Sequence, residues 1–278
     1  MSVRGLDARP VHATITESQA RRADSVTRQF STKHLRFYLT TPSACPYLPG
    51  REERKVFTSL EGGEALALNE TLTHAGFRRS QNIAYRPACE GCNSCISARI
   101  PTRAFQESRS WRKVIARNAD LHRQRRPAEG TEEQFWLLRR YLNHRHAEGG
   151  MADMTLLDYA AMVEETAVHT HMVEYRYTKG PDRDELAGAA IVDLLRDGLS
   201  LVYSFFDPRD ERRSLGAYII LDHVRQAQAA GLDYVYLGYW VPGSDKMGYK
   251  SRFRPLELLR GGAWIPYVDA QGEETASA

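Results

Sequence analysis

Leu186-Ala187-Gly188-Ala189-Ala190-Ile191-Val192-Asp193-Leu194-Leu195 and Leu199-Ser200-Leu201-Val202-Tyr203-Ser204-Phe205-Phe206 are two apolar runs of strand length, separated by Arg196-Asp197-Gly198. The polar, glycine-ended spacer makes them a strand–turn–strand unit. Upstream, Val168-His169-Thr170-His171-Met172-Val173-Glu174-Tyr175-Arg176-Tyr177 reads as another strand. Downstream, a helix over residues 215–230 precedes a fourth strand, Tyr234-Val235-Tyr236-Leu237-Gly238. This half of the chain therefore runs strand, strand, strand, helix, strand.

Toward the N-terminus the pattern is less regular. Residues 1–33 are polar and read as a mobile lead-in. Strands are expected over residues 34–40 and 54–60, and a helix over 62–76 that ends on Gly76, where glycine suits a left-handed cap. A further strand is expected at Ser97-Ala98-Arg99-Ile100-Pro101. Trp111, Val114, Ile115, Asn118 and Leu121 fall at helical spacing, with Arg109, Arg112, Lys113 and Arg117 mostly on the other side, as in an amphipathic basic helix. Helices are also expected from Thr131 toward Gly149-Gly150 and over residues 155–166. The natural divisions are a basic region, 34–130, a second domain, 131–269, and a disordered tail, 270–278.

Charge is unevenly placed along the 278 residues. Residues 1–130 hold 22 Lys and Arg against 12 Asp and Glu, whereas residues 131–278 hold 16 against 23. The excess is densest between residues 99 and 126, where nine basic residues meet only Glu107 and Asp120. Such a stripe attracts phosphate backbones, or is a solvated arginine-rich face. No stretch approaches the roughly 20 apolar residues of a membrane span, and the first residues lack an apolar signal core, so the chain reads as cytoplasmic.

Three of the four cysteines form Cys89-Glu-Gly-Cys92-Asn-Ser-Cys95, and the fourth, Cys45, precedes a proline. This spacing lets thiolates converge, so Cys45, Cys89, Cys92 and Cys95 are candidate ligands for an iron–sulfur cluster or a zinc ion. The alternative is a tight loop of buried thiols. Just before them lie Arg78, Arg79, Tyr85 and Arg86, where guanidinium groups suit two-pronged binding of a carboxylate or phosphate. Near the C-terminus, Trp240, Lys246, Tyr249, Lys250, Arg252 and Arg254 interleave aromatic and cationic groups, as proteins that hold single-stranded nucleic-acid ends do.

The element order after residue 168 resembles the acyltransferase fold of the GNAT superfamily, so the expected class is α+β with a GNAT-like C-terminal half. Arg213-Ser214-Leu215-Gly216-Ala217-Tyr218 is similar to the turn that cradles coenzyme A in those enzymes, except for the bulky Tyr218. An acetyl-CoA-dependent N-acetyltransferase is thus one alternative, and a non-catalytic RNA-binding or redox-sensing module another.

Several ordered motifs go further. Cys45-Pro46-Tyr47-Leu48-Pro49-Gly50-Arg51, Gly76-Phe77-Arg78-Arg79-Ser80-Gln81-Asn82, Tyr85-Arg86-Pro87-Ala88-Cys89, Phe205-Phe206-Asp207-Pro208 and the run from Tyr236 to Glu257 resemble the bacterial aspartate/glutamate leucyltransferases, relatives of the arginyltransferases. The resemblance implies transfer of leucine from leucyl-tRNA to the N-terminal amine of proteins that begin with Asp or Glu, marking them for degradation. Arginyl-tRNA is the alternative donor. No cofactor is needed, because the aminoacyl ester is already activated. On this reading Arg78 or Arg79 clamps the acceptor side chain, with Tyr85 and Arg86 nearby. Tyr203, Asp207 and Tyr236 orient or deprotonate the amine, and Trp240, Lys246, Tyr249, Lys250, Arg252 and Arg254 hold the tRNA end.

Overall fold

The computed structural model describes residues 10–11, 35–145, 151 and 153–268. The expected lead-in and tail lie outside them, apart from Pro10–Val11. In chain order the elements are β1 (Pro10–Val11), β2 (Phe37–Leu39), β3 (Ser43–Ala44), β4 (Glu52–Glu53), β5 (Lys55–Ser59), α1 (Ala65–His74), β6 (Arg78–Ser80) and β7 (Ile83–Pro87). Next come β8 (Ile96–Pro101), α2 (Arg109–Arg117), β9 (Leu121–Pro127), α3 (Glu132–Arg145), α4 (Leu156–Glu164) and β10 (Thr170–Tyr177). The chain closes with β11 (Leu186–Leu194), β12 (Gly198–Phe206), α5 (Leu215–Ala229), β13 (Tyr234–Trp240), β14 (Glu257–Arg260) and β15 (Ala263–Pro266).

The quoted stretch forms the antiparallel pair β11–β12 at the middle of an eight-stranded sheet ordered β15-β14-β8-β13-β12-β11-β10-β9. Its unbroken apolar character follows from cover on both faces. Ala189 and Ile191 enter one core with Leu138, Tyr141 and Tyr159 from α3 and α4, while Ala190 and Val192 enter another with Ile219, Ile220 and Val224 of α5. The fold is therefore α+β, with a mostly antiparallel sheet. The exception is β12–β13, which run parallel and pair only at Gly198–Tyr234, Leu199–Val235 and Ser200–Tyr236.

A second, five-stranded sheet, β1-β2-β5-β7-β6, packs with α1 around Leu60, Leu72, Phe77 and Ala84. Gly76 leaves α1 at φ +86°, as expected of a left-handed exit, and a side chain there would also strike Leu259. The large sheet takes strands from both sides of residue 130, since β8 lies between β13 and β14 and β9 pairs with β10.

One stretch left unassigned takes shape, and one local expectation changes. Residues 78–87 form a hairpin, β6–β7, turning at Gln81 with φ +51°. The basic helix stops at Arg117 rather than reaching Leu121. Asn118, fully buried, donates from Nδ2 to Val114 O and Arg213 O (2.8 Å each), and the chain then turns into β9. Arg123, Arg125 and Arg126 thus lie on an edge strand. Among the described residues, no helix is long and apolar enough to cross a membrane.

Candidate active site

Where β12 and β13 part, backbone groups that no longer face each other in a ladder need other partners. Two cations supply them. Arg78, at the start of β6, reaches across from the smaller sheet, and its Nη2 donates to Leu201 O (3.0 Å) and Val202 O (2.5 Å) on β12. Lys250, buried in the short helical turn Gly248–Arg252, donates to Tyr239 O on β13 at 2.6 Å. Burial, and then the positive charge of Arg78, hold the Lys250 amine well below its usual range.

Tyrosines surround these two cations. Tyr239 donates to Gly76 O (3.2 Å) and Tyr85 O (3.1 Å), which fixes the β6–β7 hairpin against β13. Burial, followed by Tyr85, pushes the Tyr239 hydroxyl well up. Tyr47 is raised by burial and then by Tyr85, and Arg78 partly offsets both. Burial, then Tyr141 and Tyr47, raises the Tyr203 hydroxyl. Tyr249 is 42% exposed and close enough to Tyr141, Arg145 and Arg78 to feel their charges. Where the strands part, neutral hydroxyls thus gather around the Arg78 guanidinium and the Lys250 amine, and this cluster between the strands is the candidate cleft. Such a cleft can bind a carboxylate and stabilise developing negative charge on a carbonyl oxygen.

The family described as "Arginine-tRNA-protein transferase, C terminus" matches residues 133–260, and its N-terminal counterpart matches residues 43–113. The aspartate/glutamate leucyltransferase of Caulobacter vibrioides (strain NA1000 / CB15N) is 61% identical over 241 residues, covering 86% of this chain and 86% of that protein. That of Phenylobacterium zucineum (strain HLK1) is also 61% identical over 241 residues, covering 86% of this chain and 93% of that protein. The chain belongs to the aspartate/glutamate leucyltransferase family. Among solved structures, L-PGS from Bacillus licheniformis overlays at a TM-score of 0.41 and 10% identity over 54% of this chain and 47% of that one, too loose a match to argue from.

In this leucyltransferase-family chain, the cleft gathers Arg78, Tyr85, Tyr203, Tyr249 and Lys250 of the residues singled out by sequence. Others lie elsewhere. Arg79 makes a two-pronged pair with Asp193, from Nε to Oδ2 (2.6 Å) and Nη2 to Oδ1 (2.7 Å), with side chains 2% and 1% exposed. Asp207 accepts from Arg209 N (3.0 Å) and Nε (2.7 Å). Burial pushes that carboxyl up, but the Arg209 bonds outweigh it and hold it below the usual range. Tyr236 lies level with Ser200, where β12 and β13 are still paired. Its hydroxyl donates to Asp197 Oδ2 (2.8 Å), and Arg99 packs 5.8 Å from its ring.

Arg86 covers the Phe77 ring from the exposed side, at 5.1 Å. Trp240 is buried against Tyr267 with centroids 5.0 Å apart, and Arg254 lies over the same Tyr267 ring at 4.4 Å. Lys246 and Arg252 are exposed, and Arg252 rests 5.2 Å from the Trp111 ring. Tyr47, Tyr141 and Arg145 belong to the cleft and were not anticipated. Tyr141 and Arg145 stand four apart on α3, the spacing of one helix face, which is the signal that could have found them.

The structure gives no support to the metal or cluster expected at the cysteines. Among the described residues, no group of three or more His, Cys, Asp or Glu is arranged to hold an ion. Cys89 Sγ accepts from Arg54 N at 3.4 Å and donates to Arg54 O at 3.7 Å. Cys92 Sγ lies 3.5 Å from Ser94 Oγ. Cys95 is pushed up to about 12 by burial and then by Cys45, Cys89 and Cys92.

Proposed function

We propose that the protein moves leucine from leucyl-tRNA to the α-amine of proteins that begin with Asp or Glu, marking them for degradation. The cleft between β12 and β13, with Arg78 and Lys250 fixed against the parted strands, is the observation that carries this reading. The names of relatives 61% identical supply the reaction class.

An α-amine has a pKa of about 7.7–8.0, so a useful fraction is neutral near pH 7. Its nitrogen attacks the ester carbonyl and the C–N bond forms. The C–O bond to the ribose then breaks, and the proton lost by nitrogen ends on the ribose oxygen. The chain's task is positioning and charge stabilisation. We assign Arg78 to the acceptor's Asp or Glu carboxylate, because Arg79 is already committed to Asp193. Lys250 and Tyr203 face the carbonyl oxygen. Lys246, Tyr249 and Arg252 line the approach for the single-stranded tRNA end. Asp207 and Tyr236 position the surrounding loops through Arg209 and Asp197.

Cations at Arg78 and Arg145 disfavour a guanidinium side chain, which supports leucine over arginine as donor. For acetyl-CoA, Arg213 is bound to Asp120 at 2.7 and 2.9 Å and Tyr218 packs on Tyr175, so both side chains of that turn are already engaged. The order β10, β11, β12, α5, β13 supports a GNAT-like reading of residues 131–269, into which the basic region 34–130 inserts Arg78. A tRNA donor puts the reaction in the cytoplasm. Labelled leucyl-tRNA, arginyl-tRNA or acetyl-CoA is offered with peptides that begin with Asp, Glu or Ala. Label passing only from leucyl-tRNA to the Asp and Glu peptides is the expected result; label from arginyl-tRNA or acetyl-CoA alone replaces the donor.

A further inference from the structure

Several cations around α2 are paired. Arg103, Arg123, Arg213 and Arg225 each face a carboxylate, on Asp233, Asp222, Asp120 and Glu107 respectively. The exposed side of α2 is different. Arg109, Arg112, Lys113 and Arg117 are all exposed, and among the described residues none of them joins an ion pair. Arg112 donates to Glu107 O (2.5 Å), and Arg117 to Lys113 O (3.2 Å) and Arg212 O. Backbone carbonyls orient a guanidinium without cancelling its charge. No acidic residue lies in α2. Four uncancelled positive charges on one short helix form a surface that gains by binding a polyanion and releasing its counterions.

The helix is joined to the cleft through its buried side. Trp111 stacks on Phe253 with centroids 4.7 Å apart and planes 9° apart, and Arg252 lies 5.2 Å from the same indole. The turn Gly248–Arg252 that carries Lys250 into the cleft therefore ends against α2. A substrate whose reactive ester enters the cleft on a flexible single strand has its duplex behind it, and α2 offers a rigid basic edge roughly 13 Å long beside that entrance.

We propose that the exposed face of α2 is the docking track for the sugar–phosphate backbone of the donor tRNA's double-helical stem. This rests on the leucyl-tRNA reading above. Recognition there is by charge and shape, the mode suited to A-form RNA, whose base edges are poorly accessible.

The test compares the full chain with a variant carrying Arg109→Gln, Arg112→Gln, Lys113→Gln and Arg117→Gln, and with one carrying lysine at the three arginine positions. Binding of leucyl-tRNA is measured across salt concentration, and transfer is measured with leucyl-tRNA and with a leucylated CCA trinucleotide that has no duplex. The glutamine variant should lower the salt slope for tRNA by about three and raise KM for leucyl-tRNA more than tenfold, with KM for the trinucleotide within twofold of the parent. The lysine variant should keep the parental slope. An unchanged slope in the glutamine variant, or an equal loss with the trinucleotide, overturns the docking track. If the parent protein does not transfer leucine from tRNA at all, the leucyl-tRNA reading falls and the track with it. Normal parental transfer with an unaltered variant slope removes the track alone.

Discussion

Arg78 occupies the space that a side chain at Gly238 would need: a Cβ there would lie 1.5 Å from Arg78 Nη1. Gly238 also holds φ +73°, at the irregularity where β13 leaves its register with β8. Gly238→Ala should therefore displace the guanidinium while leaving both cores untouched. The left-handed conformation itself costs about 1–2 kcal/mol in a non-glycine residue. Misplacement of the cleft's main cation should lower kcat/KM about 100-fold. Turnover and Tm on the same preparation separate the two effects, and normal turnover would remove Arg78 from the reaction.

Arg79 and its neighbour Arg78 should behave oppositely. Arg79→Ala leaves the Asp193 carboxylate buried without its partner, which costs about 3–5 kcal/mol. Arg78→Ala should cost less, about 1–3 kcal/mol for the Leu201 and Val202 carbonyls left without it, and abolish the preference for Asp- and Glu-started peptides over Ala-started ones. Denaturation curves and peptide competition on the two variants decide the assignment.

Acid should weaken the fold through His171. Burial, and then Arg125, lower this imidazole to about 4, against about 6.5 in the unfolded chain. Below the unfolded value, the unfolded state binds the proton more readily. The contribution is thus fully present above about pH 6.5 and is lost as pH falls toward about 4. Its full size is on the order of 3 kcal/mol. His171→Gln should flatten the pH dependence of ΔG of unfolding over that window, and an unchanged slope would refute the assignment.

The thiols should differ in reactivity. The bond with Ser94, and then Arg51, hold Cys92 below its ordinary value, whereas Cys95 is pushed up to about 12. Iodoacetamide at pH 7 should modify Cys92 first and Cys95 last, as read by peptide mass spectrometry.

Much of the strand framework was legible, because the runs around Ile191 and Val202 have strand length and turn chemistry between them. The cleft was less so. Arg78 and Arg79 are chemically identical and adjacent, and only strand alternation sends one to Leu201 O and Val202 O and the other to Asp193. Tyr47 lies in an irregular loop with no periodicity to reveal its direction. Leu121 continued a helical spacing, yet the buried Asn118 bonds ended the helix before it. Tyr203, Asp207 and Tyr236 shared a plausible chemistry, and the register of β12 with β13 separated them.

The bond from Tyr239 to Gly76 O spans 163 positions of chain. During synthesis the early hairpin that bears Arg78 must wait, its cation exposed to water, until β13 and the Lys250 turn have left the ribosome. The cleft cannot come into being before both halves of the chain are made, and a nascent chain that stops short of β13 carries the arginine without the site.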